Sequence, residues 1–319
     1  MMKKYIQRLL ALTLIMVGAL NQPMVAAEDV INIGILQHVE HGSYNETYRG
    51  IVEGLAEAGY IDGENVNIHY ENASGNTSTL QSMSDKLARD NDVLVAIGTP
   101  AVQSLANATT KVPIYLASVT DPVGAGVAQS IEVPGGNVTG VSNLGPIAEQ
   151  ISLMQSVYPD AQKIGLIYNA GESNAQYQVD IAVAELEERG LTPVIQTMSS
   201  TNDISSVLSS LLPQVDTLFL VTDNTTATAM ALVGDMAKDQ QVGVFGGSND
   251  MILENGLATY GLNYYDHGKQ LANMLIDHIE NDTVPENTPI QYTETLELIV
   301  NEDFAEAIGI DPTGIKAPE

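Results

Sequence analysis

Residues 92–105 read DVLVAIGTPAVQSL: an unbroken apolar run, a glycine turn and a proline at the start of a helix. Residues 216–229, DTLFLVTDNTTATA, repeat the same grammar. An apolar run without polar alternation is the mark of a strand covered on both faces, hence of a parallel sheet between helices. Outward from each copy, the same elements recur. Around the first lie the strands VINIGIL (30–36), NVNIHYE (65–71) and VPIYLAS (112–118), with helices ETYRGIVEGLAEAGY (46–60) and STLQSMSDKLARD (78–90) between them. Around the second lie the strands KIGLIYN (163–169), TPVIQTM (192–198) and VGVFGG (242–247), with helices at 175–190, 202–214 and 225–240. Repeated βαβ units predict an α/β chain with two parallel-sheet lobes and a cleft between them. Ligands of such sheets sit beyond the carboxyl ends of the strands, so the loops there are where function is sought.

Residues 1–27 are set apart from this pattern. Lys3, Lys4 and Arg8 precede an apolar run, LLALTLIMVGAL (9–20), and Val25 and Ala27 suit the −3 and −1 positions of a cleavage site. This reads as a cleavable secretory signal peptide, too short to span a bilayer as a helix. The chain has no cysteine, which excludes disulfides, thiolate metal sites, a cysteine nucleophile and a lipid-modified cysteine at the cleavage point. A periplasmic location without a lipid anchor is expected. After the leader, nine Lys and Arg face 40 Asp and Glu, so nucleic acid is not an expected partner. Such acidity is read as solubility rather than as a cation site.

The tripeptide Val-Thr-Asp ends at Asp121 and again at Asp223. The two are not symmetry mates: the repeat matches Asp223 to GTP (98–100) and Asp121 to GGSND (246–250). Both still sit at strand ends facing the cleft. In the first copy Thr99 is expected to cap a helix whose free N–H groups suit a carboxylate. In YNAGESNAQY (168–177), Asn169, Glu172, Ser173 and Asn174 gather polar groups before another helix. Asp223 and Asn224 stand at a third helix start, where a carboxylate could receive an ammonium group or simply cap the helix. His38 and His41 with Glu40 raise a metal site, but the other histidines, His69, His267 and His278, are remote in sequence, and no metal is expected. The chain carries 13 Tyr, 3 Phe and no Trp, so a stacking aromatic would be tyrosine; Tyr44, Tyr260, Tyr264 and Tyr265 fall at cleft-side positions. No GxSxG, Walker or GxGxxG pattern is present, and a cleft enzyme using Asp121 and Asp223 has little support.

Seven stretches in order, GILQHVEHGSYNETYRGIVEGLAEAGY, AIGTPAVQSL, ASVTDPVGAGV, GGNVTGVSN, IYNAGESNA, VTDNTT and ATYGLNYYDHGKQLA, resemble the solute-binding proteins of ABC transporters for tryptophan, tyrosine and related amino acids. The resemblance spans about residues 30–310. It implies a type I periplasmic-binding-protein fold of two Rossmann-like α/β/α lobes joined by a hinge. The expected division is 28–143 plus about 262–290 for one lobe, and 144–261 plus about 291–319 for the other. It implies capture of an aromatic amino acid (Phe, Tyr or Trp), delivery to an inner-membrane ABC permease, no cofactor and no chemistry on the ligand; a monomer is expected. A ligand-loaded partner of a membrane receptor is the alternative, as is a different small solute such as a sugar. The matching loops carry over Thr99, Ser118, Asp121, Glu172, Ser173, Asn174, Asp223, Asn224 and Tyr260 as ligand-binding residues. Thr99 and Ser118 are assigned the ligand's carboxylate. Asp223, helped by Glu172 or Asn224, is assigned its ammonium group, and tyrosines its side chain.

Overall fold

The computed structural model describes residues 30–318; the leader expected at 1–27 lies outside the described residues. Among the described residues no helix is long and apolar enough to cross a membrane. The chain forms two six-stranded sheets. The first holds β1 (Ile31–Gln37), β2 (Val66–Asn72), β3 (Val93–Ile97), β4 (Ile114–Val119), β5 (Val138–Ser142) and the short β11 (Gln291–Tyr292), in the order β11-β5-β4-β3-β1-β2. The second holds β6 (Lys163–Asn169), β7 (Thr192–Met198), β8 (Thr217–Leu220), β9 (Gly243–Gly246), β10 (Ala258–Leu262) and β12 (Leu296–Val300), in the order β12-β10-β9-β8-β6-β7. Each strand occupies the place of its counterpart in the other sheet, so the duplication read from the sequence extends to the whole topology. The copies differ at the edge: β11 lies parallel to β5, whereas β12 lies antiparallel to β10.

Burial explains the apolar runs. Every residue of β3 is buried, and alternate side chains feed opposite faces of its sheet. Ile33, Ile35, Val93, Val95 and Ile97 pack under α1 (Gly42–Glu57) and α10 (Tyr264–Asn281). Leu94, Ala96, Ile114 and Leu116 pack under α2 (Thr77–Asp90) and α3 (Thr99–Ala108). The second sheet is covered by α4 (Ile147–Val157), α5 (Ser173–Glu188), α6 (Ile204–Leu211), α7 (Asn224–Ala227), α8 (Met230–Asp239), α9 (Asn249–Asn255) and α11 (Glu302–Ala307). The single helix expected over 225–240 is split into α7 and α8. Thr228 donates its hydroxyl to the Thr225 carbonyl and the Ala229 N–H donates to the Thr226 carbonyl, closing the first turn on itself. Local side-chain bonds of this kind are how threonine-rich segments leave a helix.

The chain passes between the sheets three times, after β5, after β10 and between β11 and β12. The second passage enters α10, which starts at Tyr264 with Asn263 as its cap, the amide oxygen accepting the Asp266 N–H at 3.0 Å. Asn263→Ala is expected to cost about 1 kcal/mol. A melting curve should then drop by roughly 2–4 °C.

Candidate ligand-binding site

Loops at the carboxyl ends of both sheets line one small cavity between them, partly open to solvent. From the first sheet come His41, Ser43 and Tyr44 at the start of α1, Ser118 near the end of β4 and Thr120 after it, Asn143 after β5, and Tyr264 at the start of α10. From the second come Asn174 on α5, Thr222, Asp223 and Asn224 after β8, Ala227, and Ser248 and Met251 at α9. The lobes touch directly at its rim. The Ser43 hydroxyl donates to the Asp250 carboxylate. His41 Nε2 lies 3.2 Å from Asn224 Oδ1, and its Nδ1 lies 3.8 Å from Asp250 Oδ2.

Of the nine residues expected from sequence, Ser118, Asn174, Asp223 and Asn224 line this cavity, and the other five do not. Thr99 is the first helical residue rather than the cap, a place taken by Gly98. Its hydroxyl is buried without a hydrogen-bond partner. Tyr44 covers that turn: a Cβ on Gly98 would lie 2.5 Å from the Tyr44 hydroxyl. Asp121 folds back on its own loop, accepting the Gly124 N–H at 2.9 Å. Ser173 is exposed at the first position of α5. Tyr260 packs against the core of the second lobe, and its carbonyl accepts the Gln150 amide at 3.1 Å. Ser118 reaches the cavity, but its N–H is already donated to His267 Nε2 at 2.8 Å and is not free for a carboxylate. His41 and Ser43 are the main residues missed, while Tyr44 and Tyr264, placed on the cleft side from sequence, also line the cavity. The loop QHVEHGSYNE (37–46) gave the signal in its density of polar groups at a strand end, and that signal was weighed for a metal. Among the described residues no three or more His, Asp or Glu side chains come together to hold one.

Glu172 acts from behind the wall. Its carboxylate accepts the Asn224 N–H at 3.0 Å, the Asn224 side-chain amide at 2.7 Å, the Thr225 N–H at 3.1 Å and the Thr225 hydroxyl at 2.8 Å. It thereby fixes the turn that carries Asp223. Asp223 is 1% exposed. Its Oδ1 accepts from the Thr226 N–H and hydroxyl, and its Oδ2 from the Asn169 N–H at 2.8 Å. Burial, and then the charge of Glu172, push its pKa up to about 6 against those hydrogen bonds. Among the described residues no lysine or arginine lines the cavity to offset it. Burial also holds the Tyr44 and Tyr264 hydroxyls well above their ordinary pKa, so both keep their protons. The His41 imidazole is held neutral by burial, which outweighs the nearby Asp250 carboxylate.

ABC transporter substrate binding proteins match this chain over residues 32–313. The chain belongs to that family. A tyrosine-binding protein from Clostridioides difficile (strain R20291) is 34% identical over 278 residues, 87% of this substrate-binding protein and 80% of that one. A solved ABC domain in complex with L-Trp from Streptococcus pneumonia is 33% identical with a TM-score of 0.85, covering 90% of this chain and 98% of that one. The ligand-free, open structure of a substrate binding protein with adhesive properties from Clostridium difficile is also 33% identical, with a TM-score of 0.72, covering 88% of this chain and 96% of that one. Solved leucine- and sugar-binding proteins share the two-lobed type I architecture at far lower identity, a likeness of fold alone. At equal identity this substrate-binding protein is nearer in shape to the liganded relative than to the open one. Ser43 and His41 join the two lobes across the rim in this arrangement.

Proposed function

We propose that this substrate-binding protein captures an aromatic amino acid between its lobes and delivers it to a membrane permease, acting as a periplasmic monomer after loss of residues 1–27. One observation carries the reading: the cavity holds one buried carboxylate, Asp223, no cationic side chain, and the rings of Tyr44 and Tyr264. A buried anion without an opposite charge is costly even when hydrogen-bonded, and an ammonium group supplies that charge. The ligand's own carboxylate then falls to neutral donors. Tyr264 belongs to this neutral wall: its oxygen accepts the Asn143 amide at 3.3 Å, and its hydroxyl also bonds Ser43 beside the cavity. The tyrosine rings offer faces for a flat side chain. The tyrosine-binding and L-Trp-bound relatives support the same ligand class.

A thermal-shift screen of ligand-stripped protein against the twenty amino acids and common sugars tests this. A ligand at a hundredfold its dissociation constant adds about 2.7 kcal/mol, a rise of several degrees. The expected result is a shift with Phe, Tyr or Trp; a response to sugars alone would overturn the proposal. Because the chain contains no tryptophan, bound L-tryptophan can also be followed by its own fluorescence.

A further inference from the structure

Ser118 sits where the ladder between β4 and β5 slips: Ala117 pairs with Val141 but Val119 with Ser142, leaving Ser118 as the extra residue. It is held at φ 55°, a left-handed conformation costly for a residue with a side chain. Its N–H has no strand partner and donates to His267 Nε2 at 2.8 Å. That bond fixes the tautomer. A backbone N–H can only donate, so Nε2 is the bare nitrogen and Nδ1 carries the proton. Nδ1 then donates to Thr293 Oγ1 at 2.6 Å, which donates to the Ser142 carbonyl at 3.2 Å. His267 is fully buried, and burial alone lowers its pKa to about 3. The ring therefore stays neutral over the whole physiological range.

The Ser118 hydroxyl is oriented by its neighbour Thr47. Thr47 Oγ1 gives its only proton to the Ser43 carbonyl at 2.9 Å, so in its 3.1 Å contact with Ser118 the serine is the donor. Ser118 then turns lone pairs, not a proton, toward the cavity it lines.

We propose that His267 is a positioning residue for ligand capture: by accepting the Ser118 amide it holds the strained bulge in place, so that the Ser118 oxygen serves, with Asp223, as an acceptor for the ligand's ammonium group. This rests on the amino-acid reading above and replaces the carboxylate role expected for Ser118 from sequence.

Two measurements test it. The first needs no ligand. A nitrogen-15 spectrum of the imidazoles should show His267 with Nδ1 protonated and Nε2 bare, unchanged from pH 5 to 9. A ring that titrates near 6.5, or that carries its proton on Nε2, overturns the wiring whatever the protein binds. The second is a double-mutant cycle on the affinity for whichever aromatic amino acid the screen identifies. Ser118→Ala and His267→Leu should each weaken binding about tenfold, and the double variant no more than either alone, because both remove one contact. His267→Gln, whose amide oxygen can still accept the Ser118 N–H, should restore affinity to within threefold of wild type even if its melting temperature falls. Additive losses, or wild-type affinity in His267→Leu, would show that the histidine serves the core alone. A wild-type protein that binds no amino acid would instead remove the ligand reading while leaving the spectroscopic result intact.

Discussion

Asp223→Asn is expected to weaken binding of an aromatic amino acid a hundredfold or more while leaving the unliganded protein close to wild type in stability. The ligand effect follows from leaving a buried ammonium group without its charge partner, a loss of about 2–5 kcal/mol. The stability effect is a near cancellation. Asp223 has its folded pKa raised from 3.8 to about 6, so its contribution to stability is fully present below 3.8 and is lost as pH rises through 6. At pH 7 the ionised group costs the empty protein up to roughly 3 kcal/mol, which asparagine removes. Asparagine cannot accept both the Asn169 and Thr226 donors, which gives back about 1–3 kcal/mol. The pH profile separates the two effects. Wild-type affinity should fall toward tenfold per pH unit below 6, because binding requires the ionised carboxylate and neither charged group of a free amino acid titrates between pH 5 and 7. The variant should show no such slope. An affinity within threefold of wild type, or a flat wild-type profile, would place the ammonium group elsewhere.

The second large effect is expected at the crossing of α1 and α10. A Cβ on Gly268 would lie 2.2 Å from the Thr47 carbonyl and 2.9 Å from the Ile51 nitrogen, and one on Gly50 would lie 2.1 Å from the Tyr265 carbonyl. These are backbone atoms and cannot rotate aside, so Gly268→Ala must push the helices apart. A loss of about 3 kcal/mol is expected, with a fall in melting temperature of roughly 6 °C or more. Affinity should fall as well, since α1 carries Ser43 and Tyr44 into the cavity and α10 carries Tyr264. Gly136→Ala is the control: nothing lies within 4 Å of its added Cβ, and its stability should stay within about 0.5 kcal/mol of wild type. A Gly268→Ala variant as stable as that control would mean the helices pack less closely than described.

The fold was legible because burial on both faces leaves its mark on every residue of a strand. VLVAI at β3 and TLFL at β8 can hardly be read otherwise, and their repetition gave the pairing of the lobes. β11 and β12 left no such mark, being two exposed residues and five half-buried ones at sheet edges. The site was less legible, because a strand end predicts where a loop starts but not which of its side chains turns inward. Asp223, which both caps a helix and carries charge, lines the cavity. Asp121 has the same local sequence, yet its carboxylate is satisfied three residues on by Gly124. Thr99 was displaced by Tyr44, which approaches from a different element. His267 gave no sign of its role, since that depends on a one-residue slip in a strand pair 149 positions away.

The most direct test of ammonium capture by Asp223 is an equilibrium titration of ligand-stripped protein with L-phenylalanine, L-tyrosine and L-tryptophan beside their N-acetyl forms. The rings and carboxylates are the same in each pair, and only the ammonium group is lost. One-to-one binding of at least one free amino acid is expected, with its N-acetyl form weaker by a hundredfold or more. Equal binding of the two forms, or no binding of any of the three while a sugar binds, would contradict it.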